Sequence, residues 1–302
     1  MTAPVTPRSA DFTTRLLRKI IPLYFGSFRW SRKPPKAPGA VTEFSYGPHA
    51  DERLEFIEAQ AGVPQRTPIV YVHGGGWILG TKESYSPYLS FLAHTGHPVI
   101  NVEYPLAPEN PHPGILRSLF RALDWIRREH PEFSEIHVMG DSAGGNLAMM
   151  VGLLAANPKL LGDVDPDRSE SPLPCRSVIS LYGVLDRLTW IEDGFPGGEN
   201  MLECYGGKAA FEATVPPELA ITPTDLVFEN APPSLLACGT ADPLRRSSQL
   251  FAERLAAGPG KVVHKEYEGE AHGFFNFGKT KSDAQLREDI LGFLAGVEPE
   301  SA

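Results

Sequence analysis

Apolar and polar positions alternate in two textures along this chain. Thr42-Glu43-Phe44-Ser45-Tyr46 and Leu54-Glu55-Phe56-Ile57-Glu58 alternate with a period of two around Gly47-Pro48, the pattern of an antiparallel hairpin with one face turned inwards. After residue 66 the pattern changes to short apolar or β-branched runs: 69–72, 99–102, 136–139, 178–181, 235–238 and 262–264. Between them, Ile115, Leu119, Ala122 and Ile126, and later Leu286, Ile290, Phe293 and Leu294, recur at helical spacing. Short fully apolar strands alternating with helices predict an α/β fold with a mostly parallel sheet covered on both faces. Ser282 and Gln285 offer a capping box for the last helix.

Two stretches break this rhythm. Residues 1–40 hold an apolar and basic helical segment, Phe12 to Phe25, and then Pro34-Pro35-Lys36-Ala37-Pro38, which cannot continue a helix. Residues 184–230 are rich in Gly, Pro and isolated aromatics and read as an insertion over one end of the sheet. The expected organisation is an N-terminal arm (1–40), a core (41–183 and 231–302) and a cap insertion (184–230).

Composition narrows the function classes. With 42% hydrophobic and 22% charged residues in 302, the chain can bury a large core. The formal net charge is −9 and no run of five Lys/Arg occurs, which argues against a nucleic-acid groove or an anionic membrane surface as partner. No apolar run reaches the ~18 residues of a membrane span, and from the composition of residues 1–18 no secretory signal is expected. Three cysteines, Cys175, Cys204 and Cys238, make neither a disulfide framework nor a zinc pattern, so a cytoplasmic setting is expected. His94 and His97 lie three apart without an acidic or thiol partner nearby in sequence, which reads as a solvated helix end and not as ligands. Neither metal nor organic cofactor is expected.

The chemistry concentrates in four places. Gly140-Asp141-Ser142-Ala143-Gly144 follows an apolar strand and opens an apolar helix, the strand-to-helix elbow that lifts a serine hydroxyl above a sheet. A helix N-terminus behind Ser142 favours negative charge developing there. His73-Gly74-Gly75-Gly76-Trp77 also follows a strand, and glycines without Cβ atoms let consecutive N–H groups approach an oxyanion. Gly75, Gly76 and Ala143 are the expected amide donors, with His73 structural. A serine needs a base and an orienting carboxylate. Asp242 and His272 follow the last two strands, at the edge where open α/β sheets bind ligands, and the order Ser, Asp, His suits such a fold. Asp186 and Asp225 are the competing acids, and Asp141 is expected to make only local hydrogen bonds. Trp77, Tyr85, Tyr88, Trp190, Phe195, Tyr205 and Phe274 are candidates for an apolar substrate pocket.

Together these motifs resemble the hormone-sensitive-lipase-like branch of the α/β-hydrolases, the bacterial family IV esterases, over about residues 66–296. The likeness rests on His73–Trp77, on Gly140-Asp141-Ser142-Ala143-Gly144-Gly145-Asn146, on Asp242-Pro243-Leu244 and on His272-Gly273-Phe274. It implies a triad of Ser142, Asp242 and His272, a helical cap from residues 1–40 and 184–230, and a serine carboxylesterase acting on short- to medium-chain esters. A homodimer is possible by the same resemblance. One departure stands in Tyr104-Pro105-Leu106-Ala107-Pro108-Glu109, where Pro105 replaces the arginine of the family's Tyr-Arg-Leu-Ala-Pro-Glu, so support for the glycine loop must come from elsewhere. The rival readings are an amidase or peptidase with the same triad, or a small-molecule receptor on a hydrolase fold.

Overall fold

The computed structural model describes residues 5–29, 36–258, 260–277 and 280–298, with side chains at 5–20, 36–258, 260–275 and 280–298. The chain opens with α1 (Phe12–Arg29), whose N-terminus is capped by Asp11, where Oδ1 accepts the Thr14 amide at 2.7 Å. Pro34 and Pro35 lie outside the described residues.

β1 (Val41–Ser45) and β2 (Arg53–Ile57) form the expected antiparallel hairpin. Then follow β3 (Ile69–Val72), α2 (Ser86–His94), β4 (Val99–Val102), α3 (Gly114–Glu129), β5 (Ile136–Asp141), α4 (Ala143–Ala156), α5 (Pro158–Val164) and β6 (Cys175–Leu181). Between β6 and the next strand lie α6 (Thr189–Glu192) and α7 (Gly198–Gly206) with three single helical turns after them. The chain closes with β7 (Ser234–Gly239), α8 (Arg245–Ala257), β8 (Val262–Tyr267), α9 (Phe274–Phe277) and α10 (Lys281–Val297).

The eight strands form one sheet in the order β1-β2-β4-β3-β5-β6-β7-β8. β2 pairs antiparallel with β1 and β4, and every other pairing is parallel. All positions of β3, β4, β5 and β7 are buried, as strands covered on both faces require. β1 is exposed throughout because it is the sheet's edge. Parallel strands point their carboxyl ends one way, so the loops after β3, β5, β6, β7 and β8 share one rim.

One cap differs from the sequence pattern. α10 starts at Lys281, and the Thr280 hydroxyl, not Ser282, accepts the Asp283 amide at 3.1 Å. Thr280 has the extended backbone an N-cap needs, whereas Ser282 already lies inside the helix. Among the described residues no helix is long and apolar enough to cross a membrane. All three cysteines are free.

Candidate active site

Ser142 stands between β5 and α4 at φ +54°, a conformation that L-residues rarely adopt. The strain holds because the Ser142 amide donates to Leu181 O at 2.8 Å and its carbonyl accepts the Asn146 amide at 3.0 Å. Among the described residues, Trp77, Ser142 and Tyr182 are the non-glycine positions with positive φ, and all three lie on this rim. Ser142 Oγ is 2.9 Å from His272 Nε2, and His272 Nδ1 is 2.9 Å from Asp242 Oδ2. The second carboxylate oxygen of Asp242 accepts the Leu244 amide at 2.8 Å, so the start of the next segment fixes the carboxylate that faces the imidazole. Asp242 is buried, while His272 is partly open. Loops after three different strands thus bring together the three residues expected from the motifs.

The glycine loop after β3 is held from several sides. The Gly74 amide and the Tyr71 hydroxyl both donate to Asp141 Oδ1 at 2.8 Å. Asp141 therefore does more than bond locally: it joins the elbow to the glycine loop. Burial, and next the adjacent Asp141 charge, push the Tyr71 phenol well above its ordinary pKa, so it remains a donor. His73 is buried with Nε2 at 3.1 Å from Glu103 Oε1, and Tyr104 stacks on its ring while donating to its carbonyl at 2.8 Å. Burial alone would depress the His73 pKa; the hydrogen bond and charge of Glu103 outweigh it and leave the pKa raised. This is the structural histidine the sequence suggests.

Gly75 has φ +124°, and a Cβ there would stand 2.0 Å from the Leu79 carbonyl oxygen. Gly76 has φ +58°, and its Cβ would meet Met201 Sδ of α7 at 2.4 Å. α7 therefore lies directly on this loop. Ala143 is the first residue of α4, with no acidic side chain in that helix's first turn.

The support missing at Pro105 comes from the N-terminal helix. Arg18 Nε donates to Ile78 O at 2.7 Å, and Nη2 donates to Ala107 O at 2.8 Å. Its guanidinium also grips both carboxylate oxygens of Glu109, at 2.9 and 2.7 Å. No local pattern marks Arg18, because its partners are 60 and about 90 residues away in sequence.

The aromatic candidates separate into two groups. Phe195 sets its ring edge-on to His272, with centroids 4.9 Å apart. Tyr182, which sequence reasoning passed over, contacts His272 from another side at 5.0 Å, and its position directly after β6 was the available signal. Trp77 stacks on Tyr205 at 4.6 Å and meets Trp190 edge-on, and all three are fully enclosed. They form a packed aromatic cluster between the glycine loop, α6 and α7 instead of an open lining, because only mutual burial covers so much aromatic surface. Trp77 Nε1 donates to Asn146 Oδ1 at 3.3 Å, and Asn146 Nδ2 donates to Val184 O and Ile221 O. Tyr85 packs behind the loop against Tyr71 and His73. Phe274 is buried between Tyr182 and Tyr267. Tyr88 is half-buried in α2, where its carbonyl accepts from Arg287.

The competing acids have other partners. Asp186 Oδ1 accepts the Leu188 and Thr189 amides, and Asp225 pairs with Arg187 and accepts from Thr222. His94 is exposed and bonded to Gln60, but His97 corrects the sequence reading: it is buried. Its turn leads into β4, and Nδ1 lies 2.8 Å from Thr67 O beneath the sheet. His137 and Glu298 are its neighbours, with ligand atoms within 4.8 Å of one another. His137 is engaged by Ser177 and Glu298, and Glu298 by Thr67 and His137, so hydrogen bonds within the protein occupy the cluster.

The family described as alpha/beta hydrolase fold matches residues 69–276. The chain belongs to the α/β-hydrolase family. It is 28% identical over 231 residues to Carboxylesterase NlhH of Mycobacterium tuberculosis, covering 69% of this chain and 66% of that protein. It is 41% identical over 103 residues to hormone-sensitive lipase of Homo sapiens, covering 31% of this chain and 10% of the lipase. The chain thus matches less than two thirds of the length of either relative. The solved structure of a hyperthermophilic esterase from the archaeon Pyrobaculum calidifontis shares the fold with a TM-score of 0.77 at 22% identity, covering 98% of this chain and 100% of that one.

Proposed function

We propose that this α/β-hydrolase is a serine carboxylesterase that cleaves short- to medium-chain carboxylic esters through an acyl-enzyme on Ser142. The observation that carries the reading is the hydrogen-bonded line Ser142 Oγ, His272 Nε2, His272 Nδ1, Asp242 Oδ2, with both gaps 2.9 Å. Likeness to proteins named carboxylesterase and hormone-sensitive lipase supports an ester as substrate.

Asp242 accepts a hydrogen bond from the protonated Nδ1 and holds the tautomer in which Nε2 is free to take the proton of Ser142 Oγ as that oxygen attacks the ester carbonyl. The amides of Gly75, Gly76 and Ala143 receive the developing oxyanion, assisted by the N-terminal end of α4. The imidazolium then protonates the leaving alkoxide, the C–O bond breaks, and the acyl group remains on Ser142. A water enters, gives its proton to Nε2 and attacks the acyl carbon; collapse returns that proton to Ser142 and releases the carboxylic acid. Asp242 stabilises the charged imidazole in both halves. Phe195 and Tyr182 crowd His272, which favours compact acyl groups over long ones.

The deciding experiment is hydrolysis of p-nitrophenyl esters from acetyl to dodecanoyl by wild type and Ser142→Ala. Turnover that peaks at the short or medium chains and falls by about 10⁶ in the variant is expected. Turnover of matched anilides in preference to esters would assign an amidase instead, and folded protein without turnover of either would point to a binding role.

A further inference from the structure

Over its described side chains, residues 12–20, α1 packs one face and leaves another exposed. Thr14 and Leu17 turn to the body of the protein, with Thr14 Oγ1 3.5 Å from Cys204 Sγ, and Arg18 is bonded to Ile78 and Glu109. Opposite them, Phe12, Leu16 and Ile20 are 80%, 42% and 51% exposed. Spaced by four, they form an apolar stripe over residues 12–20 of the helix. Arg15 and Lys19, also spaced by four and exposed, run beside it as a basic row.

The sequence around this helix is charged unlike the rest of the chain. Residues 12–36 contain seven Lys/Arg and no Asp or Glu, although the chain as a whole carries −9. The sum over the chain, which argues against an anionic surface, conceals this local reversal. An exposed apolar stripe bordered by cations is the arrangement that lays a helix in a lipid interface, with apolar side chains at the acyl boundary and cations at the phosphates.

We propose that α1 docks reversibly on an anionic phospholipid surface through Phe12, Leu16 and Ile20, with Arg15 and Lys19 contacting the headgroups. A second copy of the chain fits less well, because pairing the same stripe on two copies offers the basic rows no carboxylate from residues 12–36. The inference does not depend on the esterase reading, since binding is measured without turnover.

The test is co-sedimentation of the full chain with vesicles of phosphatidylcholine alone or mixed with phosphatidylglycerol, at low and high salt. Wild type is expected to bind the phosphatidylglycerol vesicles and to release as salt rises. A Phe12→Ser/Leu16→Ser/Ile20→Ser variant should lose roughly tenfold or more in partitioning. Arg15→Gln/Lys19→Gln should lose about twenty- to thirtyfold, near fivefold per cation, and its binding should depend less on salt. Val227→Ser, which removes an exposed apolar side chain far along the sequence, should bind as wild type. Near-ultraviolet circular dichroism and a thermal melt show that the variants remain folded. Absence of binding to phosphatidylglycerol vesicles, or equal binding by the stripe variant, would overturn the proposal. So would a wild-type dimer that the stripe variant converts to monomer without any vesicle binding, which would assign the stripe to a second copy.

Discussion

Arg18 and Ile78, 60 residues apart in sequence, are joined by a 2.7 Å hydrogen bond from the guanidinium Nε to the peptide oxygen. The bond ties α1 to the turn that closes the glycine loop, where the Ile78 and Leu79 amides donate back to Gly75 O. Arg18→Gln should lower kcat/KM on p-nitrophenyl esters by roughly tenfold to a hundredfold, because the loop amides lose their fixed position. Arg18→Lys should recover only part of this, since an ammonium cannot serve Ile78, Ala107 and Glu109 as a planar fork does. Loss of the partly exposed ion pair to Glu109 should by itself change stability by only about 1 kcal/mol or less. A large fall in Tm with unchanged kcat would show that Arg18 is merely structural.

Asp242→Asn keeps an oxygen for the Leu244 amide but changes what faces His272 Nδ1. Turnover should fall by about 10⁴ with little change in Tm, because the imidazole loses the tautomer and orientation the carboxylate selects. Steady-state kinetics and a thermal melt on one preparation check both halves.

Gly75→Ala and Gly76→Ala should differ. At Gly75 the new methyl group meets a backbone oxygen that cannot turn away, whereas at Gly76 it meets the end of the flexible Met201 side chain. Gly75→Ala should cost at least about 1–3 kcal/mol of stability and most activity. Gly76→Ala should be the milder change, and Gly76→Ala/Met201→Ala milder still in its effect on the loop. Thermal melts and kcat for the three proteins decide the order.

Burial holds the His112 imidazole down at about 4, and the ring meets Glu218 O and Tyr205. The unfolded chain binds a proton there at about pH 6.5 and the folded chain does not. Stability is therefore full above about pH 6.5 and is lost as the pH falls from there towards 4, by on the order of 2–3 kcal/mol. In His112→Gln this part of the pH dependence should disappear. Urea unfolding of wild type and variant from pH 7 to pH 4 measures it, and parallel curves would refute the assignment.

Local pattern carried the strands, the elbow and the glycine loop, because each is written within a few consecutive residues. The hairpin is offset by one position at Tyr46 and Glu58, and the last helix is capped by Thr280 instead of Ser282, since backbone conformation and not residue type alone selects the cap. His97 read as solvated because its cover, Glu298, lies about 200 residues on. Trp77, Trp190 and Tyr205 are in sequence candidates for either a lining or the core, since a single aromatic position does not say whether another aromatic will close over it.

The sequence by itself determined the alternating α/β architecture and the residue types at four loop positions: the serine elbow, the glycine run, the aspartate and the histidine. These are properties of short segments, set by periodicity, steric allowance and chemistry within one or two turns of chain. Tertiary structure alone decided that Ser142, His272 and Asp242 lie within hydrogen-bonding distance. It also decided that Asp141 links elbow to loop, that Arg18 serves where Pro105 stands, and which face of residues 12–20 is exposed. Those relations join segments tens to hundreds of residues apart, and their distances follow from sheet order and packing, which no local pattern encodes.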